Sequence, residues 1–123
     1  MNSLAIDYGT KRIGIAISIQ GVIQPLTTLK NSPQFFEKLQ QIISDYKIDQ
    51  IYVGISQGAI ATQTKKFVNQ LQNMLTLPIS TVEEAVSTVE ADNIFTANKK
   101  HRKDYQKTID AIAAAVILKR VIS

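Results

Sequence analysis

The chain has 123 residues, a length that fits one domain and leaves no room for two, and its 45% hydrophobic and 20% charged residues are typical of a folded protein and exclude disorder. It contains no cysteine and a single histidine, His101, which excludes disulfides, thiolate zinc sites and histidine clusters, so any bound metal must be held by oxygen atoms. The net charge is +4, and segment 99–107 alone, with five Lys or Arg against one Asp, accounts for this whole excess.

The first part of the chain predicts three short strands. Residues 3–7 and 12–18 are apolar runs on either side of a turn that contains glycine, and VIQPLTTL (22–29) follows Gly21. Pro25 has no backbone N–H to donate, which favours an edge strand or an irregular one. Three strands in succession indicate an antiparallel meander.

From Ser32 onward the pattern alternates between helix and strand. Ser32 as N-cap and Pro33 as first helical residue predict the start of a helix. QIYVGI (50–55) then predicts a buried strand, a second amphipathic stripe predicts a helix, and ISTV (79–82) predicts another strand.

Two further helices are predicted at the end of the sequence. Residues 87–90, STVE, fit a capping box, and the last helix extends from about 106 to 121. Its predicted buried side consists of Ile109, Ile112, Ala113, Val116 and Ile117. The order predicts a single α/β domain over residues 1–123, with a five-stranded mixed sheet, three strands antiparallel and then two parallel, flanked by helices.

Three acids fall at positions that this sheet can bring together. Asp7 ends the first strand, Glu84 follows the last strand, and Asp110 lies in the first turn of the final helix. Sites in open sheets form beyond the carboxyl ends of parallel strands. Three carboxylates without histidine or cysteine indicate a hard oxygen site suited to Mg²⁺ or Mn²⁺.

Each of these features also has a purely structural interpretation. Asp7 can bond to the amides of the following turn, and Glu84 and Asp110 can be acids that a helix N-terminus favours. The basic segment 99–107 can be a solvated loop or an arm that binds nucleic acid phosphates. The residue pattern alone leaves both interpretations open.

Three segments carry a resemblance to a known family. LAIDYGTKRIGIAIS (4–18), EEAVSTVEA (83–91) and KTIDAIAAAVIL (107–118), in this order, resemble the YqgF family, also called RuvX, of Holliday junction resolvases and pre-ribosomal RNA nucleases. The similarity covers nearly the whole chain. It implies a ribonuclease H-like fold and a metal-dependent nuclease in which Asp7, Glu84 and Asp110 are the catalytic carboxylates and bind Mg²⁺ or Mn²⁺. Ala85 stands where the family motif usually has arginine, so a different or weaker contact with substrate is expected there.

The resemblance implies a substrate as well. The expected function is processing of the 5′ end of precursor small-subunit ribosomal RNA, the alternatives being cleavage of a four-way DNA junction and non-catalytic binding of nucleic acid. Contacts to the phosphate backbone are expected from the turn after the first strand and from the basic segment, at Thr10, Lys11, Arg12, Lys99, Lys100, Arg102 and Lys103. A cytoplasmic protein without a membrane partner is expected, either a monomer or a homodimer.

A different class of protein shares part of the first motif. DYGTKRIGIA (7–16) also resembles the phosphate-binding hairpin of sugar kinases, actin and Hsp70-type ATPases. Those proteins close two such domains around a nucleotide, and 123 residues do not accommodate the second domain. A nuclease is therefore the preferred interpretation.

Overall fold

The computed structural model describes residues 1–55, 61–83 and 105–122. These segments form five strands and three helices, in the order β1 (Ser3–Asp7), β2 (Arg12–Ile19), β3 (Val22–Lys30), α1 (Phe35–Asp45), β4 (Gln50–Ile55), α2 (Ala61–Met74), β5 (Ile79–Glu83) and α3 (Tyr105–Ile122). The helix predicted to start at 87–90 lies outside the described residues. No helix within the described ranges is long and apolar enough to cross a membrane.

The strands form one sheet in the order β3-β2-β1-β4-β5. The pairs β1–β2 and β2–β3 are antiparallel, and the pairs β1–β4 and β4–β5 are parallel. The predicted meander and the two parallel strands are therefore confirmed. The edge position expected from Pro25 is also confirmed, because β3 has a partner on one side only and its register with β2 shifts beside this proline.

Successive residues of β1 point to opposite faces of the sheet, and each face has its own core. Leu4 and Ile6 pack with side chains of α1 and α2 in the larger core. Ala5 packs with Ala16 of β2 and Ala114 of α3 in the smaller one. Asp7 continues the alternation of Ser3 and Ala5, so it lies on the face that α3 covers.

Helix α1 begins later than the sequence predicts. Its first residue is Phe35 and its N-cap is Gln34, with no side-chain hydrogen bond at the cap. Ser32 contributes its backbone carbonyl instead, which accepts a hydrogen bond from the Phe35 N–H at 3.0 Å. The prediction of Ser32 as N-cap and Pro33 as first helical residue was wrong, because these residues form a turn ahead of the helix.

Candidate active site

Asp7 lies at the end of β1 between two glycines on the neighbouring strands. Its Cα is paired with Gly14 of β2 on one side and with Gly54 of β4 on the other. Paired residues of adjacent strands present their side chains to the same face of a sheet. Neither neighbour therefore carries a side chain beside the carboxylate of Asp7.

Gly14 also determines how closely helix α3 approaches this end of the sheet. A Cβ atom built on Gly14 would overlap the backbone carbonyl of Asp110 and would lie 3.0 Å from the backbone nitrogen of Ala111. Gly14 and Asp7 are antiparallel partners, whose Cα atoms are typically about 4.5–5.5 Å apart. The backbone of Asp110 therefore approaches the strand partner of Asp7 on the face that α3 covers.

Asp110 lies deeper in its helix than the sequence indicates. Since α3 begins at Tyr105, Asp110 is its sixth residue and lies in the second turn, which places it beyond the first turn that was predicted. The carboxylate oxygen Oδ2 accepts a hydrogen bond from Nε of Arg12 at 2.9 Å, and this ion pair leaves 42% of the Arg12 side chain and 22% of the Asp110 side chain exposed. Asp110 is thus paired with a side chain of β2 and lies beyond the first turn of the helix, where an acid would act mainly on the helix dipole.

The turn that follows Asp7 is held by contacts from both directions. Nδ2 of Asn31 donates to the Gly9 carbonyl at 2.9 Å, and the Asn31 backbone N–H donates to the Lys11 carbonyl, also at 2.9 Å. On the other side of the turn the Tyr8 ring packs on Phe67 of α2 with 4.7 Å between the ring centroids. Glycine is required at position 9, because a Cβ atom there would overlap the backbone carbonyl of Arg12.

The structure describes two of the three predicted acids. Asp7 lies on the face that α3 covers and Asp110 lies in α3, while Glu84 follows the last residue of β5 and lies outside the described residues. Among the residues that are described, no group of three His, Cys, Asp or Glu side chains is placed to hold a metal ion. Asp7 and Asp110 would offer carboxylate oxygens, the ligand type that Mg²⁺ and Mn²⁺ prefer.

The predicted nucleic-acid contacts fall into two groups. Thr10 and Lys11 are exposed in the turn between β1 and β2, and Arg12 is exposed as the first residue of β2. The other predicted contacts and the departure from the family motif lie outside the described residues: Lys99, Lys100, Arg102, Lys103 and Ala85.

The turn residues line a cleft that sequence analysis missed. Its volume is about 550 Å³, and its lining consists of Thr10, Lys11, Arg12, Thr28, Leu29, Lys30, Asn31 and Ser32. Lys30 enters it because this last residue of β3 is the register partner of Arg12. Only the register of the β2–β3 hairpin indicates that Lys30 lies beside Arg12.

Solved structures with a similar fold include two resolvases bound to Holliday junctions. The chain is similar to the fowlpox virus resolvase in complex with substrate Holliday junction DNA, with a TM-score of 0.63 at 12% identity, covering 99% of this chain and 97% of that one. It is similar to Thermus thermophilus RuvC in complex with a Holliday junction substrate, with a TM-score of 0.58 at 14% identity, covering 98% of this chain and 96% of that one. The fold is therefore a RuvC-like ribonuclease H fold.

Sequence comparison gives the family. The family described as RuvX, Holliday junction resolvase, matches residues 1–123. A protein of Rickettsia africae (strain ESF-5) named "Putative pre-16S rRNA nuclease" is 35% identical over 129 residues, covering 97% of this chain and 84% of the relative. A protein of the same name from Halothermothrix orenii is 33% identical over 130 residues, covering 96% and 91%. The chain therefore belongs to the RuvX family.

Proposed function

We propose that this protein is a metal-dependent nuclease that hydrolyses phosphodiester bonds in structured nucleic acid. The observation that supports the proposal most is the close approach of the Asp110 backbone to Gly14, which is the strand partner of Asp7. The family match supports the reaction class. The exposed cations Lys11 and Arg12 next to these acids support a substrate of negative charge.

The chemistry required at the site follows from the reaction. Water adds to phosphorus, one P–O ester bond breaks, and the leaving oxygen takes up a proton, while negative charge accumulates on the phosphoryl oxygens. Asp7 and Asp110, with Glu84 as the expected third ligand, would hold Mg²⁺ or Mn²⁺. Such an ion stabilises the phosphoryl charge and lowers the pKa of the attacking water. The carboxylates then act as ligands and not as proton carriers.

Arg12 has a separate role in this proposal. Its guanidinium holds Oδ2 of Asp110 at 2.9 Å and so fixes the orientation of that carboxylate. A planar guanidinium with several N–H donors is also suited to binding a phosphate oxygen. Arg12 is therefore a positioning residue for Asp110 and a candidate contact for the scissile strand.

The preferred substrate is the 5′ end of precursor small-subunit ribosomal RNA, because the curated relatives are named for pre-16S rRNA. A four-way DNA junction is the second candidate, which the description of the family favours. In both cases Lys99, Lys100, Arg102 and Lys103 remain proposed contacts to the phosphate backbone. A non-catalytic binding module is the third alternative, and it would bind both substrates without cutting either.

One experiment separates these three alternatives. The purified chain is incubated with an end-labelled precursor small-subunit rRNA fragment and, in parallel, with a labelled four-way DNA junction, in Mg²⁺, in Mn²⁺ and in EDTA. We expect cleavage of the RNA near the mature 5′ end with either metal and none in EDTA. Cleavage of the junction alone would favour the resolvase, and binding without cleavage of either substrate in any metal would contradict the proposed nuclease.

A further inference from the structure

The cleft beside the candidate active site combines positive charge with hydrogen-bonding groups. Three of its lining residues are the exposed cations Lys11, Arg12 and Lys30. Hydroxyl and amide side chains make up most of the remaining lining, and no acid is among the lining residues. The volume of about 550 Å³ falls within the range of about 300–1,000 Å³ that small-ligand sites occupy.

Two of these cations occupy a pairing that a sheet normally avoids. Arg12 and Lys30 are direct register partners on antiparallel strands, a position where side chains start about 4.5–5.5 Å apart and like charges destabilise the pair. Asp110 makes an ion pair with Arg12. Within the described part of the chain, neither Lys30 nor Lys11 has an ion pair with an acid. Lys11 and Lys30 therefore carry positive charge that no acid of the described residues balances by an ion pair.

We propose that this cleft binds a phosphodiester of the nucleic acid strand, with Lys30 as a contact that joins Lys11 and Arg12. The inference rests on the proposed function and extends it, since it assigns the β3 end of the hairpin to substrate binding. The cleft shares Arg12 with the candidate active site through the 2.9 Å hydrogen bond to Asp110. A phosphate held here would therefore lie beside Arg12, the residue that binds Asp110.

The geometry of the cleft is fixed before any ligand binds. Asn31 joins the end of β3 to the β1–β2 turn through its two hydrogen bonds to Gly9 and Lys11, each 2.9 Å long. These bonds hold the backbone that carries Lys30 against the backbone that carries Lys11. A preorganised pair of cations loses less entropy on binding than cations on two independent loops.

A competing explanation for Lys30 is protection of the sheet edge. Strand β3 is an edge strand, and lysines on such strands discourage pairing with other chains. That role predicts no effect of Lys30 on nucleic acid affinity. The two explanations therefore differ in a measurable quantity.

The test compares Lys30→Ala with the control Lys66→Ala. Lys66 is an exposed residue of α2, on the opposite face of the sheet, and its substitution removes the same charge. Binding of a short single-stranded RNA and a DNA of the same sequence is measured by fluorescence anisotropy in EDTA, where no cleavage interferes, over a series of salt concentrations. We expect Lys30→Ala to lose roughly 3- to 10-fold in affinity near 0.1 M salt and to reduce the slope of log affinity against log salt by about one. The loss should be the same for RNA and DNA, because the phosphodiester is common to both.

Lys66→Ala should bind like the wild type. Equal affinities and equal salt slopes for the two variants would contradict phosphodiester binding in the cleft, even if the wild type cleaves its substrate. A specific loss in Lys30→Ala, in a protein that cleaves neither substrate with Mg²⁺ or Mn²⁺, would instead support the cleft and contradict the nuclease. The two failures are therefore distinguishable.

Discussion

Replacing Asp7 with Asn is expected to reduce metal-dependent cleavage by more than about 100-fold, and Asp110→Asn should have a similar effect. An amide keeps the size of the side chain but removes the negative charge that a divalent ion requires. Substitutions of residues that only support metal ligands already cost about 10- to 100-fold, so loss of a ligand should exceed this range. Initial rates of cleavage of the precursor rRNA fragment in Mg²⁺, measured for wild type and variants, test the prediction.

The loss should affect the chemistry and leave the fold and binding intact. Without metal, Asp7 and Asp110 repel each other, so the melting temperature of Asp7→Asn in EDTA should equal or exceed that of the wild type. Nucleic acid affinity in EDTA should also be retained, because a carboxylate without a bound metal repels the phosphate backbone and does not contribute to binding. Asp45→Asn, at an exposed position at the end of α1 on the other face, serves as the charge-matched control and should cleave normally. If Asp7→Asn cleaves at the same rate as Asp45→Asn, Asp7 is not an active-site residue.

Gly14→Ala should combine a large loss of stability with a loss of activity. The added methyl group would overlap backbone atoms of Asp110, and a helix backbone cannot move aside as a flexible side chain can. Overpacking of this kind costs about 1–3 kcal/mol, which corresponds to a melting temperature lower by roughly 5–15 °C for a domain of this size. Moving α3 away would also separate Asp110 from Asp7, so cleavage should fall well beyond the loss of folded protein. Thermal unfolding followed by circular dichroism, with cleavage rates at a temperature where the variant is folded, measures both effects.

Gly21→Ala is the matched control for this variant. Gly21 has φ of +85° in the β2–β3 turn, and an added Cβ there meets no atom within 4 Å. The substitution introduces backbone strain of about 1–2 kcal/mol without displacing α3. It should therefore lower the melting temperature while leaving cleavage by the folded protein unchanged. If Gly14→Ala retains both the stability and the activity of the wild type, α3 does not depend on Gly14 for its position.

The strands and their order were predictable because each has a local sequence signal. Apolar runs of five to eight residues, the glycine-containing turns and the single Pro25 mark β1 to β3 without reference to the rest of the chain. The Asp7 position followed from the same pattern, since it ends the first run. The close approach of α3 was predictable only in part, because the alanines of the helix suggest it but the decisive residue, Gly14, is located on the strand opposite.

The cleft was not predictable because it depends on a register shift. The turn at Gln20 and Gly21, both with positive φ, pairs Ile19 with Val22, as a two-residue hairpin turn does. Continuing that register would place Arg12 opposite Leu29. One extra residue, Leu26, shifts the later pairs so that Arg12 faces Lys30 instead. The sequence around a bulge next to a proline does not indicate which residue of the strand is left without a partner.

The start of the helices was the weakest part of the sequence interpretation. Ser32 and Pro33 have the residue types of a helix start, yet α1 begins at Phe35 because a turn intervenes. Asp110 lies in the second turn of α3 and not in the first, as its sixth residue, because the helix begins at Tyr105, one residue before the predicted start. That difference matters for the site, since in the second turn the acid pairs with Arg12 of β2 at 2.9 Å.

We propose that Asp7 and Asp110 share a divalent metal ion. Titration of the protein with Mn²⁺ in the absence of nucleic acid tests this proposal. Binding is followed by calorimetry for the wild type, Asp7→Asn, Asp110→Asn and the control Asp45→Asn. We expect weak binding by the wild type and by Asp45→Asn, and at least a 10-fold loss of affinity in each of the other two variants, since each removes one carboxylate ligand. Binding of Mn²⁺ by Asp7→Asn and Asp110→Asn with the affinity of the wild type would contradict a shared metal site at this end of the sheet.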